Sequence, residues 1–347
     1  MDVLVIGGTG TIGAGVTEQL VAEGYDVTLY NRGRTAATVP ADVEVLRGDR
    51  TDHGTFEARA RGLDVDTVVD LDVSYGSLAD VESSLRAFEG RVDHYVFCST
   101  VTVYRQPAES VPMTEGASRK PPGESYGGRK VACEDRLLEA HGREGFPVTI
   151  LRPGHTYGEG GVGGGLSYSL GFWEPYFVDR LRKGEPIVVH GDGTARWGFC
   201  HRDDVARAFV AAVGNERAVG ETYHVPSPES LTWDAYVRTV ADVVGAPEPT
   251  LVHVPSRLLR DVLPDERNQL AELDWDHSWV FDTSKAESEL GFESSVPLRE
   301  GVARTVDWLD EHDRIGDSER EPLDDRIVDA WRSAETEFVS AFERHEG

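Results

Sequence analysis

Tyr126 and Lys130 stand four residues apart in the stretch ESYGGRKVACE. On a helix that spacing puts both side chains on one face. A phenol titrates at about 10, too high for a base at neutral pH. A neighbouring ammonium lowers that value by favouring the phenolate. Lysine is scarce in this chain: Lys120, Lys130, Lys183 and Lys285 are the only four among 35 Lys plus Arg. Where arginine is the usual cation, a lysine beside a tyrosine suggests work that the planar guanidinium does not do. It is a compact charge that tunes a phenol and donates to a ribose hydroxyl. The pair is suited to general acid–base catalysis.

A second group of residues speaks of the cofactor. VIGGTGTIG places Gly7, Gly10 and Gly13 after an apolar strand and at the start of a helix, with Thr11 and Ile12 between the last two. The glycines permit a tight turn, close approach of backbone N–H groups to a pyrophosphate, and close helix–strand packing. The helix N-terminus adds a potential that favours anions. Dinucleotide binding is therefore expected. At the end of the second strand an NAD site usually presents an acid to the ribose 2′-hydroxyl. Here the residues are Asn31, Arg32, Gly33 and Arg34. No acid is present, and two guanidinium groups suit a 2′-phosphate. NADP is expected over NAD, with ordinary solvated charges as the plainer reading of Arg32 and Arg34.

These residues need elements to position them. Apolar runs at 2–7, 26–31, 43–48, 65–71, 94–99 and 148–153 read as buried strands. Helical spacing occupies 11–24 and the regions around 77–89 and 125–142. Buried strands alternating with helices predict an α/β fold, a Rossmann-like doubly wound parallel sheet. After residue 153 the rhythm breaks. The Gly-rich stretch 157–165 reads as a linker or as the rim of a cleft. Helix, turn and strand follow from 177, and an amphipathic helix covers 231–245. Residues 306–347 carry 14 Asp or Glu against five Arg, with apolar spacing at Ile327, Ala330, Trp331, Phe338 and Phe342. That stretch is expected to be an acidic surface helix. The predicted organisation is a dinucleotide-binding domain over 1–155, a smaller α/β substrate lobe over 156–310 with some segments returning to the sheet, and a helical extension over 311–347.

Composition narrows the classes. The net charge of −27 is distributed along the chain and disfavours binding to nucleic acid or anionic membranes. Sparse lysine with abundant Asp, Glu and Arg fits a halophilic cytosol, where salt screens self-repulsion. Cys98, Cys133 and Cys200 are distant from one another, which argues against a disulfide framework and fits a reducing cytoplasm. The first ten residues, MDVLVIGGTG, show no signal-peptide pattern, so a cytoplasmic protein is expected. His190, His201 and His224 have no metal-ligand spacing, and no metal is expected.

Taken with GGTGTIG and YGGRK, the segments STVTVY (99–104), LRPGHTYG (151–158), HRDDVARA (201–208) and DTSKAESELGF (282–292) give a resemblance. The chain resembles the extended short-chain dehydrogenase/reductase family, which includes the NAD-dependent epimerases and dehydratases, over about residues 1–310. The resemblance implies an enzyme that moves hydride between NAD(P) and a secondary alcohol or ketone, on a sugar or sugar nucleotide. It implies that Thr100 hydrogen-bonds the reacting oxygen, that Tyr126 is the acid–base group, and that Lys130 supports it while holding the nicotinamide ribose. It matches Asp49 and Arg50 to an adenine-contacting pair and sets Pro153 on the nicotinamide side. It also implies a homodimer built on the 125–142 helix region.

Three departures limit what carries over. Asp70 and Asp72 replace a small pair near the cofactor, in a role the sequence leaves open. Val101 and Thr102 follow Thr100 where 4,6-dehydratases carry Asp-Glu, so that elimination is not expected. Trp197 stands where nucleotide-sugar epimerases carry an Arg for the diphosphate, with Arg196 one position off register. Thr102, His155, Trp173, Arg196 and Trp197 are the candidates for the substrate side. The other readings are an NADPH-dependent reductase of a non-nucleotide substrate, a non-catalytic NADP-binding protein, and an RNA-binding relative.

Overall fold

The computed structural model describes residues 1–33, 39–71, 77–160, 165–166, 176–264 and 274–344. In chain order the elements begin β1 (Asp2–Ile6), α1 (Thr11–Ala22), β2 (Asp26–Asn31), β3 (Glu44–Arg47), α2 (His53–Ala60) and β4 (Thr67–Asp70). They continue α3 (Leu78–Phe88), β5 (His94–Cys98), α4 (Tyr126–Glu144), β6 (Val148–Pro153) and β7 (His155–Tyr157). Next come α5 (Phe177–Lys183), β8 (Ile187–His190), β9 (Arg196–His201), α6 (Arg202–Ala212), β10 (Thr222–Val225) and β11 (Ser230–Thr232). The last are α7 (Trp233–Val243), β12 (Leu251–Val254), α8 (Ser256–Val262), α9 (Ser284–Leu290), α10 (Leu298–Glu311) and α11 (Leu323–Arg344).

The chain divides into two units. The first comprises residues 1–164, 197–230 and 278–301. Its centre is a seven-stranded sheet in the order β10-β6-β5-β4-β1-β2-β3, with parallel neighbours. β1 lies between β2 and β4, and Ile6 pairs with Tyr30 on one side and Asp70 on the other. Val3, Leu4, Val5 and Ile6 are all buried, because helices cover both faces of the sheet. Val16 and Leu20 of α1 join Val205 and Phe209 of α6 in one core layer. Phe56, Phe88, Tyr95 and Leu137 build the other. The strand order reverses beside β1, and in such sheets the crevice at that reversal takes the ligand.

The second unit comprises residues 165–196, 231–277 and 302–347. β8 and β12 pair in parallel there, Ile187 opposite Leu251. Trp233, Trp275 and His190 form an aromatic cluster, the two indoles 5.4 Å apart. Burial lowers His190 to about 3, so its imidazole is neutral. Tyr176 and Phe177, which open α5, are core residues.

One sequence expectation changes. The single acidic helix expected over 306–347 is two helices, α10 and α11. Asp313 adopts φ 51 after α10, and Pro322 directly precedes α11. A left-handed residue and a proline both interrupt helical hydrogen bonding. Beyond residue 153, β10 joins the main sheet, while β7 and β9 pair with each other. β7 and β10 have only three and four residues, too few for period to reveal them.

Candidate active site

The turn after β1 is shaped for an anion. Gly7 has φ +83, and its N–H donates to the Tyr30 carbonyl at 3.2 Å. A Cβ on Gly13 would sit 2.5 Å from the Gly7 carbonyl oxygen and 2.8 Å from Gly8, so α1 and the loop touch directly. A Cβ on Gly10, by contrast, would meet nothing within 4 Å. Gly10 is the N-cap of α1 and brings no side-chain acceptor to the first turn. Packing explains Gly13, whereas the open space over Gly10 lets a phosphate approach the helix N-terminus. Thr11 is buried and Ile12 half-buried beside it. These residues fit the pyrophosphate of a nicotinamide dinucleotide.

At the end of β2, the Asn31 side chain accepts from the Gly33 N–H at 2.8 Å, and Arg32 is exposed. Arg34 lies outside the described residues. Sequence reasoning missed Arg47. Its exposed side chain runs past Gly33, with Nε 3.0 Å from where a Cβ on that glycine would be. β3 pairs in register with β2, Asn31 opposite Arg47, and this brings the second guanidinium to the corner.

Arg50 and Asp70 have a structural explanation. Asp70 ends β4 fully buried and pairs with Arg50 at 2.7 Å. Tyr95 donates its hydroxyl to the same carboxylate at 2.5 Å. Arg50 also donates to Ser84 Oγ at 2.8 Å and to the Asp80 carbonyl at 3.2 Å. The guanidinium that the resemblance matched to adenine is thus buried in an ion pair, because the unexpected acid at Asp70 requires a cation. Asp49 accepts from the Thr51 N–H and hydroxyl at 3.0 and 2.8 Å. Asp72 lies outside the described residues.

Thr100, Tyr126 and Lys130 come together where β5 ends. Thr100 caps a short 3-10 turn over Val101–Val103, and its Oγ1 lies 3.2 Å from both the N–H and the hydroxyl of Thr102. α4 starts at Tyr126 because Ser125 caps it, accepting from the Gly128 N–H at 3.1 Å. The helix start presses on the Thr100 loop: a Cβ on Gly127 would lie 2.2 Å from the Thr102 carbonyl oxygen. One turn further on, buried Lys130 donates Nζ–H to the Cys98 carbonyl at 3.0 Å and stands 4.8 Å from the Phe97 ring centroid. Tyr126 itself is half-buried. Two contacts, one to each side of Thr100, fix the first turns of α4 against the end of β5.

A buried clamp holds the same helix further along. Glu134, one turn after Lys130, accepts from Arg152 Nε and Nη2 at 2.8 and 2.6 Å and from Arg119 Nη1 at 2.9 Å. Arg152 Nη1 donates to the Tyr104 hydroxyl at 2.5 Å. The His224 Nδ1–H faces the Asp282 carbonyl at 3.1 Å, so Nε2 accepts from the Tyr104 hydroxyl at 2.6 Å. Burial pushes His224 down to about 4 and keeps it neutral. Burial likewise raises the Tyr104 phenol, which therefore stays protonated. This chain joins α4, β6 and β10. Glu134 was the available signal, an acid on the helix face that Tyr126 and Lys130 share.

On the candidate substrate side, His155 is buried edge-on against Trp197, their rings 5.2 Å apart. Burial lowers it to about 3. Trp197 packs on Trp279 at 5.6 Å. The position where nucleotide-sugar epimerases carry an arginine is therefore a buried indole, while Arg196 is exposed. Trp173 lies outside the described residues, and Pro153 closes β6 fully buried. Glu159, His201 and Asp203 gather three potential metal ligands. Their hydrogen bonds read as a helix cap: His201 Nδ1 accepts from the Asp203 N–H at 3.2 Å, and Nε2 faces Glu159 at 2.8 Å.

A doubly wound parallel sheet, a glycine turn against a helix N-terminus, and Thr100, Tyr126 and Lys130 where β5 and α4 meet define an enzyme of the short-chain dehydrogenase/reductase type. The family model described as "NAD dependent epimerase/dehydratase family" matches residues 3–225, and the chain belongs to that family. Over 322 residues it is 31% identical to the 2′-dehydrokanamycin reductase of Streptomyces kanamyceticus, covering 92% of this chain and 87% of that one. It is 28% identical over 313 residues to the chloroplast stem-loop binding protein of 41 kDa b of Arabidopsis thaliana, covering 86% and 77%. The fold matches that of UDP-glucose 4-epimerase from Bifidobacterium longum, solved with NAD+ and UDP, with a TM-score of 0.71 at 20% identity, covering 91% and 100%. Among the described residues, no helix is long and apolar enough to cross a membrane.

Proposed function

We propose that the protein is an NADPH-dependent reductase of a ketone on a sugar or related polyol that carries no nucleotide. The observation that carries the substrate class is Trp197, a buried indole where a diphosphate-binding guanidinium would be expected. A 2′-dehydrokanamycin reductase, similar over nearly the whole chain, supports reduction of such a substrate. Arg32 and Arg47 at the end of β2 support NADP over NAD, since two forks suit a phosphate. The net charge of −27 opposes a nucleic-acid-binding reading drawn from the stem-loop binding named for the chloroplast relative.

In this reading the bound nicotinamide supplies the hydride. Thr100 orients the carbonyl oxygen and Tyr126 gives it a proton. Lys130 favours the phenolate left behind, and the Cys98 carbonyl fixes its ammonium. Gly7, Gly10 and Gly13 with Thr11 and Ile12 hold the pyrophosphate, Asp49 lies on the adenosine side, and Pro153 closes the nicotinamide side.

Steady NADPH oxidation at 340 nm with a sugar ketone is the expected result. Tyr126→Phe should lower kcat by about 10²–10⁴-fold while keeping NADPH affinity. A tightly held cofactor with no net change in absorbance during turnover of a UDP-sugar would establish the epimerase reading instead.

A further inference from the structure

Among the described residues, α11 is fastened to its unit over its first turns only. Asp324 accepts from the Tyr176 hydroxyl at 3.2 Å, Asp325 from Arg180 at 2.9 Å, and Ile327 and Val328 are buried. From Trp331 to Arg344 no residue is buried. Phe338 is 72% exposed and Phe342 61%, the two aromatic residues among the exposed large hydrophobics that the structure describes. At about 100° per residue, Trp331, Phe338 and Phe342 fall within about 40° of one another. They prolong the stripe that Ile327 buries at the fastened end. The exposed stretch is about 20 Å long at 1.5 Å per residue. A helix of that length is marginal in water without tertiary support, and a continuous apolar seam marks an interaction surface.

We propose that this half of α11 is a self-association surface, which pairs antiparallel with the same helix of a second copy. Charge and size complementarity across a two-fold axis select that occupant. With the axis between Glu337 and Phe338, Arg332 stands opposite Glu343 on one flank of the seam, while Arg344 points away from it. An arginine thus meets a carboxylate on that flank, twice by symmetry. Ala334 stands opposite Ala341, so the backbones can approach closely, and Phe338 meets its own copy at the axis. A parallel pair would instead set Glu335, about 40° from the seam, against its own copy. Because each chain carries −27, association strengthens as salt screens the repulsion between copies.

Sedimentation of the full chain in high KCl tests this. Phe338→Glu with Phe342→Glu should halve the mass at every concentration where the unmodified chain is associated, whatever other interface exists. Both side chains are exposed, so circular dichroism should be unchanged. An unmodified chain that stays monomeric, or a double variant with undiminished mass, would overturn the proposal. Orientation is read from cysteines, since Cys98, Cys133 and Cys200 are buried. Under mild oxidation a mixture of Ala334→Cys and Ala341→Cys chains should form a mixed disulfide dimer. Disulfide dimers of Ala334→Cys alone, or none in the mixture, would refute the antiparallel pairing.

Discussion

Removing the Glu134 carboxylate tests whether the buried clamp holds the catalytic helix. Glu134 is fully buried, and Arg152, 3% exposed, loses its one bidentate partner when alanine replaces it. The arginine keeps its charge without that partner, because a guanidinium titrates above about 12 and stays protonated in proteins. A buried charge left without its partner costs about 3–5 kcal/mol. At about 2–4 °C per kcal/mol for a domain of 150–250 residues, that cost lowers Tm by roughly 6–20 °C. Glu134→Gln keeps the shape and loses the charge, and should cost about 1.5–3 kcal/mol. Asp135→Asn is the control. Asp135 pairs with the same Arg119 but is half exposed, so it should cost about 0–1 kcal/mol. Urea unfolding at one fixed KCl concentration gives the stabilities. If the clamp positions Tyr126 and Lys130, Glu134→Gln should also lower kcat under conditions where it remains folded and binds NADPH normally. A Glu134→Ala variant within about 1 kcal/mol of the unmodified chain, or one no worse than Asp135→Asn, would refute the clamp.

Other outcomes follow from single contacts. Gly13→Ala should abolish dinucleotide binding, measured by fluorescence titration, because its Cβ would sit 2.5 Å from the Gly7 carbonyl oxygen in the turn proposed for the pyrophosphate. Arg32→Ala and Arg47→Ala should each weaken NADPH while sparing NADH, and equal losses for both cofactors would remove them from 2′-phosphate recognition. Stability should fall on acidification from about pH 6.5 to about pH 4. Burial lowers His94 and His224 to about 4, and His155 and His190 to about 3, so the unfolded chain binds protons that the folded chain refuses. Above about pH 6.5 both states are neutral at these sites and the stability is fully present. Below it, each histidine removes about 1.4 kcal/mol per pH unit until its folded value is reached. Urea midpoints that do not change between pH 7 and pH 5 would show that these imidazoles are not held neutral.

Much of the first unit is legible in the sequence because its strands are continuous apolar runs and its helices have clear starts and stops. β2 and β6 fall on the residues where the pattern placed them. The glycine turn and the Tyr126–Lys130 spacing are local signals, since both partners of each interaction lie within one or two turns of chain. Arg47 was invisible because it reaches the end of β2 only through strand pairing. Asp70 was ambiguous because its cation, Arg50, comes from a loop well before it in the chain, and only the sheet sets them 2.7 Å apart. Glu134 lay on the face shared by Tyr126 and Lys130, but Arg152, Tyr104 and His224 carried no spacing signal, as they come from three other segments.

The sequence alone therefore determined the elements and the chemical kinds present: a phosphate turn, a phenol with an ammonium one helical turn away, and a large excess of negative charge. Periodicity and capping act between neighbours along the chain, so the order of residues suffices to express them. Tertiary structure decided which charges face a site and which only balance one another in the interior. It turned Arg50 inward to neutralise Asp70, brought Arg47 to the end of β2, and put an indole at position 197 among aromatic rings. Desolvation and ion pairing depend on distances across the sheet, and those distances exist only once the strands have found their partners.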